Sequence, residues 1–254
     1  MIVLLSPAKR LNEHTEISSQ QISVPSFLEG SKSIMKRLAD KRPKQLQQLQ
    51  AISSALAEEN YQRNQVWLQK EGKGEIPAVY LFDGEVYRGL AAPAWKEATK
   101  LYAQDHLRIL SGLYGWLRPF DHVLPYRLEM GTALSIGRKK NLYDFWQEKL
   151  RSALTDLAKE RPVLNLASAE YFRAVDPSFF KAQIHQVDFL EDKGDGGAPR
   201  PIQVFMKQAR GMLANYVLEN QIERVEDLAG FMEKGYQFDP SRSSSSKTVF
   251  LRHH

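Results

Sequence analysis

Short apolar runs closed by turn signals alternate along this chain with stretches of helical periodicity, and that alternation confines it to a fold mixing sheet and helix. Ile2–Leu5 is a run of apolar residues ended by Ser6-Pro7, the pattern of a buried strand. Val79–Phe82, Val163–Leu166, Val187–Leu190 and Ile202–Met206 read the same way, while the tail alternates Tyr236, Phe238 and later Val249–Leu251. Ser31–Glu59 reads as two helices separated at Pro43, since proline breaks a helix but suits the opening turn of another. Leu46, Leu49, Ile52 and Leu56 then share a face. Trp95–Leu110 and Ala209–Gln221 read as further helices. The clearest helix follows Asn141, an N-cap residue, with Leu142, Phe145, Trp146, Leu150, Leu154 and Leu157 as its apolar stripe. Asp176-Pro177 reads as one more helix start. The DKGDGGAPRP run at 192–201 is expected to join two strands as a hairpin, and SRSSSSK at 241–247 to be mobile. The strands lack the even rhythm of a doubly wound sheet, no repeat is visible, and no linker divides the chain. One mixed α/β (α+β) domain over residues 1–254 is the expectation.

The chain has no cysteine, which excludes disulfides, thiol nucleophiles, thiolate zinc sites and protein-held iron–sulfur clusters. Its histidines stand at 14, 106, 122, 185, 253 and 254, without the spacing of a metal site, so neither metal nor cofactor is assigned. MIVLLSPAKR is too short an apolar stretch for a signal peptide or a membrane span. A soluble cytoplasmic protein with no membrane partner is expected. The net charge of +5 permits nucleic acid or anionic metabolites without requiring either.

That charge is not spread evenly. Leu107–Lys140 carries Arg108, Arg118, Arg127, Arg138, Lys139 and Lys140 against only Asp121 and Glu129. Within it, Leu110-Ser-Gly-Leu-Tyr-Gly115 is a glycine-bearing bend between two expected helices. Such a bend can lie close to a nucleic-acid backbone and offer amides to a phosphate. It departs from the common Gly-apolar-Gly form by one residue, and the plainer reading is a helix stop followed by a turn.

Other motifs carry the same double reading. Ser6-Pro-Ala-Lys9-Arg10 ends the first strand with two cations, suited to a ligand phosphate or simply solvated. No glycine-rich loop supports nucleotide binding of the Walker or Rossmann kind. Arg127 and Glu129 would face one way in an extended chain, flanking a pocket or forming an ion pair. Asn165, Ser168 and Glu170 could meet a ligand at a strand end or cap the next turn. Asp83-Gly-Glu85 reads as an ordinary turn.

Read together, these segments resemble the YaaA peroxide stress resistance family. The matching pieces are Leu5-Ser-Pro-Ala-Lys9, Leu110-Ser-Gly-Leu-Tyr-Gly-Trp-Leu-Arg-Pro119, Pro125-Tyr-Arg-Leu-Glu-Met-Gly131 and Leu142-Tyr-Asp-Phe-Trp146. Asn165-Leu-Ala-Ser168, Glu170-Tyr-Phe172, Ala209-Arg-Gly211 and the Gly230-Phe and Gly235-Tyr pairs complete the series, in order along nearly the whole chain. The resemblance implies a cytoplasmic protein that limits peroxide damage by a route linked to iron. It also implies a mixed α/β fold with a helix-hairpin-helix-like element, here at about 95–125, and a basic cleft that binds double-stranded DNA. No catalytic activity comes with it.

The leading expectation is therefore a DNA-binding protein of the oxidative stress response. Lys9, Arg10, Ser111, Gly112, Gly115, Arg118, Arg127, Lys139, Lys140 and Arg210 would contact DNA, with Tyr114 or Trp116 available to stack on a base. The alternative is an enzyme acting on a nucleotide or damaged nucleic acid through Lys9, Glu129, Asn165, Ser168, Glu170 and Lys181. A deep cleft with Glu129 or Glu170 facing Lys9 would favour that alternative. An iron-handling or scaffold role is the third class.

Overall fold

A computed structural model describes residues 1–14, 22–159, 161–176, 178–179, 184–194 and 196–253. β1 (Ile2–Leu5) is fully buried on both faces, as an apolar run without alternation requires. A short β2 (Arg10–Leu11) follows it. Three helices come next, α1 (Leu28–Ala39), α2 (Pro43–Gln50) and α3 (Ser54–Gln69). Pro43 opens α2 as expected, but Ser53 begins a third helix by accepting a hydrogen bond from the Leu56 amide. Ile52 and Leu56 therefore do not continue the face of Leu46 and Leu49.

β3 (Ile76–Pro77), α4 (Ala78–Leu81), β4 (Phe82–Asp83) and α5 (Glu85–Leu90) follow. Most of the strand expected over Val79–Phe82 is thus a helical turn. All four residues are buried, and burial on every side erases the periodicity that separates helix from strand. α6 (Glu97–His106) is shorter than expected and passes directly into β5 (Leu107–Ser111). β6 (Gly115–Leu117) and β7 (His122–Val123) come next. β5 and β6 pair antiparallel, Ser111 opposite Gly115. The bend is accordingly the turn of a β-hairpin, and the helix-hairpin-helix expected over about 95–125 is corrected to helix–strand–turn–strand.

α7 (Leu142–Ala158) is the helix the sequence marked, its Asn141 cap accepting from the Asp144 amide at 2.9 Å. Then come β8 (Val163–Asn165), α8 (Ala169–Phe172), β9 (Ile184–Asp192), α9 (Gln203–Glu219), β10 (Gln237–Phe238) and β11 (Lys247–His253). The strand expected at Ile202–Met206 is the start of α9. Among the described residues between β9 and α9, a single antiparallel bridge from Glu191 to Arg200 stands in place of the expected hairpin. The 241–247 run is not loose: Asp239 accepts from the Ser241 amide and hydroxyl, the Arg242 amide and the Arg242 guanidinium. Pro177, part of the expected helix start, lies outside the described residues, and Asp176 has a left-handed conformation with φ 55°.

Seven strands form the main sheet in the order β10-β11-β9-β8-β1-β5-β6. The five from β11 to β5 are parallel, and β10 and β6 run antiparallel at the edges. Helices and strands share one continuous apolar core. Among the described residues no helix is long and apolar enough to cross a membrane. The parallel arrangement fixes what matters next: β5, β1 and β8 end side by side on one edge of the sheet.

Candidate functional site

At that edge the chain turns three times within a small space. After β1, Ser6 Oγ accepts from the Ser168 amide at 2.8 Å and reaches Ser168 Oγ at 3.2 Å, joining the first turn to the one after β8. Tyr87 of α5 donates to the Ser6 carbonyl at 3.0 Å. After β5, Ser111 Oγ lies 2.6 Å from Tyr126 OH. Ligands of open sheets with parallel strands collect beyond such carboxyl ends, because the loops there diverge and leave a crevice.

Residues 126–130 cross this edge in extended form. Tyr126, Leu128 and Met130 are buried, while Arg127 and Glu129 turn to the other side. That is the two-residue alternation of an extended chain. Glu129 Oε1 accepts from Arg127 Nη2 at 2.8 Å, and its Oε2 meets Lys9 Nζ at 3.0 Å. Glu170 of α8 accepts from the Gly131 amide at 2.9 Å and pins the far end of the segment. A narrow crevice lies here, lined by Pro7, Ala8, Lys9, Phe82, Arg127, Glu129 and Tyr171 among others. Burial drives the Tyr126 and Tyr171 hydroxyls well above the ordinary phenol range, Glu170 and Glu129 adding to the effect at Tyr171. Both phenols are neutral at physiological pH.

The structure therefore brings Lys9, Arg127, Glu129 and Glu170 to one edge with Ser6 and Ser168. Asn165 stands beside them but is engaged: its amide nitrogen donates to Gln186 and its oxygen accepts from the Ala167 amide. Lys181 lies outside the described residues. Sequence reasoning missed Gln50 of α2, which donates to the Arg127 carbonyl at 2.8 Å and holds the segment from below. Nothing in the local sequence marks it. Tyr126 and Tyr171 sat inside the quoted motifs, where their hydroxyls could have been weighed as donors.

Several other candidates are placed elsewhere or are occupied. Ser111, Gly112, Leu113, Tyr114 and Gly115 are all buried. The Leu113 and Tyr114 amides donate to Ser111 Oγ, and the Gly112 carbonyl accepts from Trp146 Nε1 at 2.9 Å. The bend thus has neither the exposure nor those amides to offer a phosphate, which corrects Ser111, Gly112 and Gly115 as DNA contacts. Glycine does permit close approach at 112, but to main chain rather than to DNA. Tyr114 and Trp116 are core residues, Tyr114 accepting from Trp67 Nε1 at 2.7 Å.

Arg118 is bound to the fully buried Asp121 carboxylate through its Nε and its own amide, and its Nη2 donates to the Val24 carbonyl. It is a brace for a loop. Arg210 of α9 is partly buried with Asp188 the charge facing it, and desolvation lowers its pKa. Arg10 pairs with Asp83 at 2.5 Å. Lys139 and Lys140 are exposed on the turn closed by the Ile136–Lys139 bridge. Among the described residues no three or more His, Asp or Glu side chains gather as a metal-holding group.

The sequence matches, over residues 1–242, the family described as peroxide stress protein YaaA. A UPF0246 protein of Flavobacterium johnsoniae is 42% identical over 254 residues, covering 99% of this chain and 100% of its own. One from Legionella pneumophila is 41% identical over 259 residues, covering 100% of both chains. A third, from Phenylobacterium zucineum, is 41% identical over 99% of this chain and 95% of its own.

Proposed function

The chain belongs to the peroxide stress protein YaaA family, and from that premise we propose that it serves the stress response by holding double-stranded DNA at the strand-end crevice. What supports this reading is a single carboxylate, Glu129, pairing with two cations from distant parts of the chain, Lys9 and Arg127. These three charges sum to +1, and Glu170 at the same edge brings the cluster to neutrality, so the cations act by their position rather than by surplus charge. Both cations are held at the crevice before any ligand arrives, which lowers the ordering cost of binding. A guanidinium has five donors, and Arg127 Nε is buried without a hydrogen-bond partner among the described residues. With Nε shielded from solvent, a backbone phosphate would be met by the terminal amino groups of the guanidinium. Lys139 and Lys140, exposed on a separate turn, stay available to other phosphates of the same duplex. The link to iron that the resemblance implies enters indirectly, as cover for the nucleic acid that iron-driven oxidation attacks.

A second reading draws on the same contact. An ammonium 3.0 Å from a carboxylate, with the neutral Tyr171 phenol in the same crevice, is also equipped for proton transfer on a bound nucleotide. Product formation from DNA or nucleotides would separate it from simple binding.

The test is a titration of labelled duplex DNA. Lys9→Ala together with Arg127→Ala is expected to weaken binding about tenfold or more, the scale of losing two charge-assisted hydrogen bonds. Lys36→Ala, on the exposed side of α1, should leave it unchanged. Equal binding by all three proteins would remove the crevice from the account.

A further inference from the structure

A second cavity, of about 390 Å³, opens beside the crevice and is unused by the reading above. Its size falls within the ~300–1,000 Å³ typical of small-ligand sites. Three rings line it, Tyr80, Phe82 and Tyr87, each less than a tenth exposed, together with the Asp83 carboxylate, the Asn12 amide and a rim that includes Ala94. Phe82 is common to both walls. Lys9 faces the crevice, and its neighbour Arg10 holds Asp83 at the cavity. β2 pairs with β4, Arg10 opposite Asp83, so the two openings are one residue apart along the chain.

Resting on the nucleic-acid reading, we propose that this cavity receives one unpaired nucleobase bearing an exocyclic amine, from a strand whose phosphate lies over Lys9 and Arg127. The largely apolar lining suits a small planar ring, whatever its sequence. The carboxylate supplies an acceptor for the amine of cytosine or adenine, which thymine lacks. A base already unpaired spares the cost of extrusion, so single-base lesions and bulges would be selected over intact duplex.

The experiment compares labelled duplexes that are fully paired, carry one bulged cytosine, or carry one bulged thymine. The wild-type chain is expected to bind the cytosine bulge about tenfold tighter than the paired duplex, with thymine between them. Ala94→Trp, at an exposed position on the rim, should abolish the bulge preference while leaving paired-duplex affinity and melting temperature unchanged. Asp83→Asn should equalise cytosine and thymine. Equal wild-type affinity for bulged and paired DNA, or a preference that survives Ala94→Trp, overturns the cavity proposal alone. Failure to bind any duplex overturns both it and the nucleic-acid reading.

Discussion

A Cβ added to Gly112 would stand 2.5 Å from the main-chain carbonyl oxygen of Leu128, nearer than such atoms can approach. The missing side chain is what lets residues 126–130 lie against the end of β5, and that placement turns Arg127 and Glu129 outward. Gly112→Ala is therefore expected to force the two segments apart. Overpacking of this kind costs about 1–3 kcal/mol, to be read as a lower melting temperature together with weaker duplex binding. A variant that melts like the wild type would show that the approach is not needed.

Glu129→Gln tests the balance of charge at the crevice. The substitution keeps the side chain's size and removes the anion that pairs with both Lys9 and Arg127. Under the binding account, duplex affinity should rise a few-fold at low ionic strength and the gain should shrink as salt is added. Under the catalytic reading the same change would abolish turnover. Weaker binding would mean that Glu129's orienting role outweighs its charge.

Arg118→Ala separates a brace from a contact. Its guanidinium is engaged with a carboxylate that is fully buried, so removing it leaves Asp121 with Ser23 and one backbone amide. Arg118 is itself about a third exposed, which lowers the cost to about 1–3 kcal/mol. A depressed melting temperature with an unchanged salt dependence of DNA binding is expected. A shallower salt dependence would return Arg118 to the interface.

The 241–247 run should show its anchor through pH. Hydrogen bonds from Ser241, then from the Arg242 side chain and amide, hold the Asp239 carboxyl below its ordinary range. A carboxyl depressed in the fold stabilises it above the unfolded value near 3.8 and loses that contribution as pH falls through the lower folded value. Asp239→Asn should thus lower the melting temperature at neutral pH and narrow its gap to the wild type in acid. A constant gap would mean that Asp239 acts without its charge.

The sequence disclosed the strand ends better than the elements between them. Ser6, Lys9, Arg127, Glu129, Ser168 and Glu170 were all singled out from local pattern, and the fold brings them to one edge. Arg127 and Glu129 were legible because extended chain puts alternate residues on one side, a rule that needs no tertiary knowledge. The hairpin at 110–115 was not legible in the same way. Leu107–Ser111 is buried throughout, Arg108 included, so it shows no alternation and could be read as the tail of α6. The glycines signalled close approach correctly, but only the fold identifies what approaches: Leu128 at Gly112 and the Trp146 ring at Gly115. Val79–Leu81 and the first turn of α9 were misread for the same reason, as short apolar stretches with too little length to establish a period.

The salt dependence of duplex affinity tests the central claim most directly. Each phosphate contact contributes roughly 0.9 to the slope of log affinity against log salt, so Lys9→Ala with Arg127→Ala should flatten the wild-type slope by roughly 1.8. The same slope for both proteins would contradict the account, because it would place the phosphates elsewhere on the molecule.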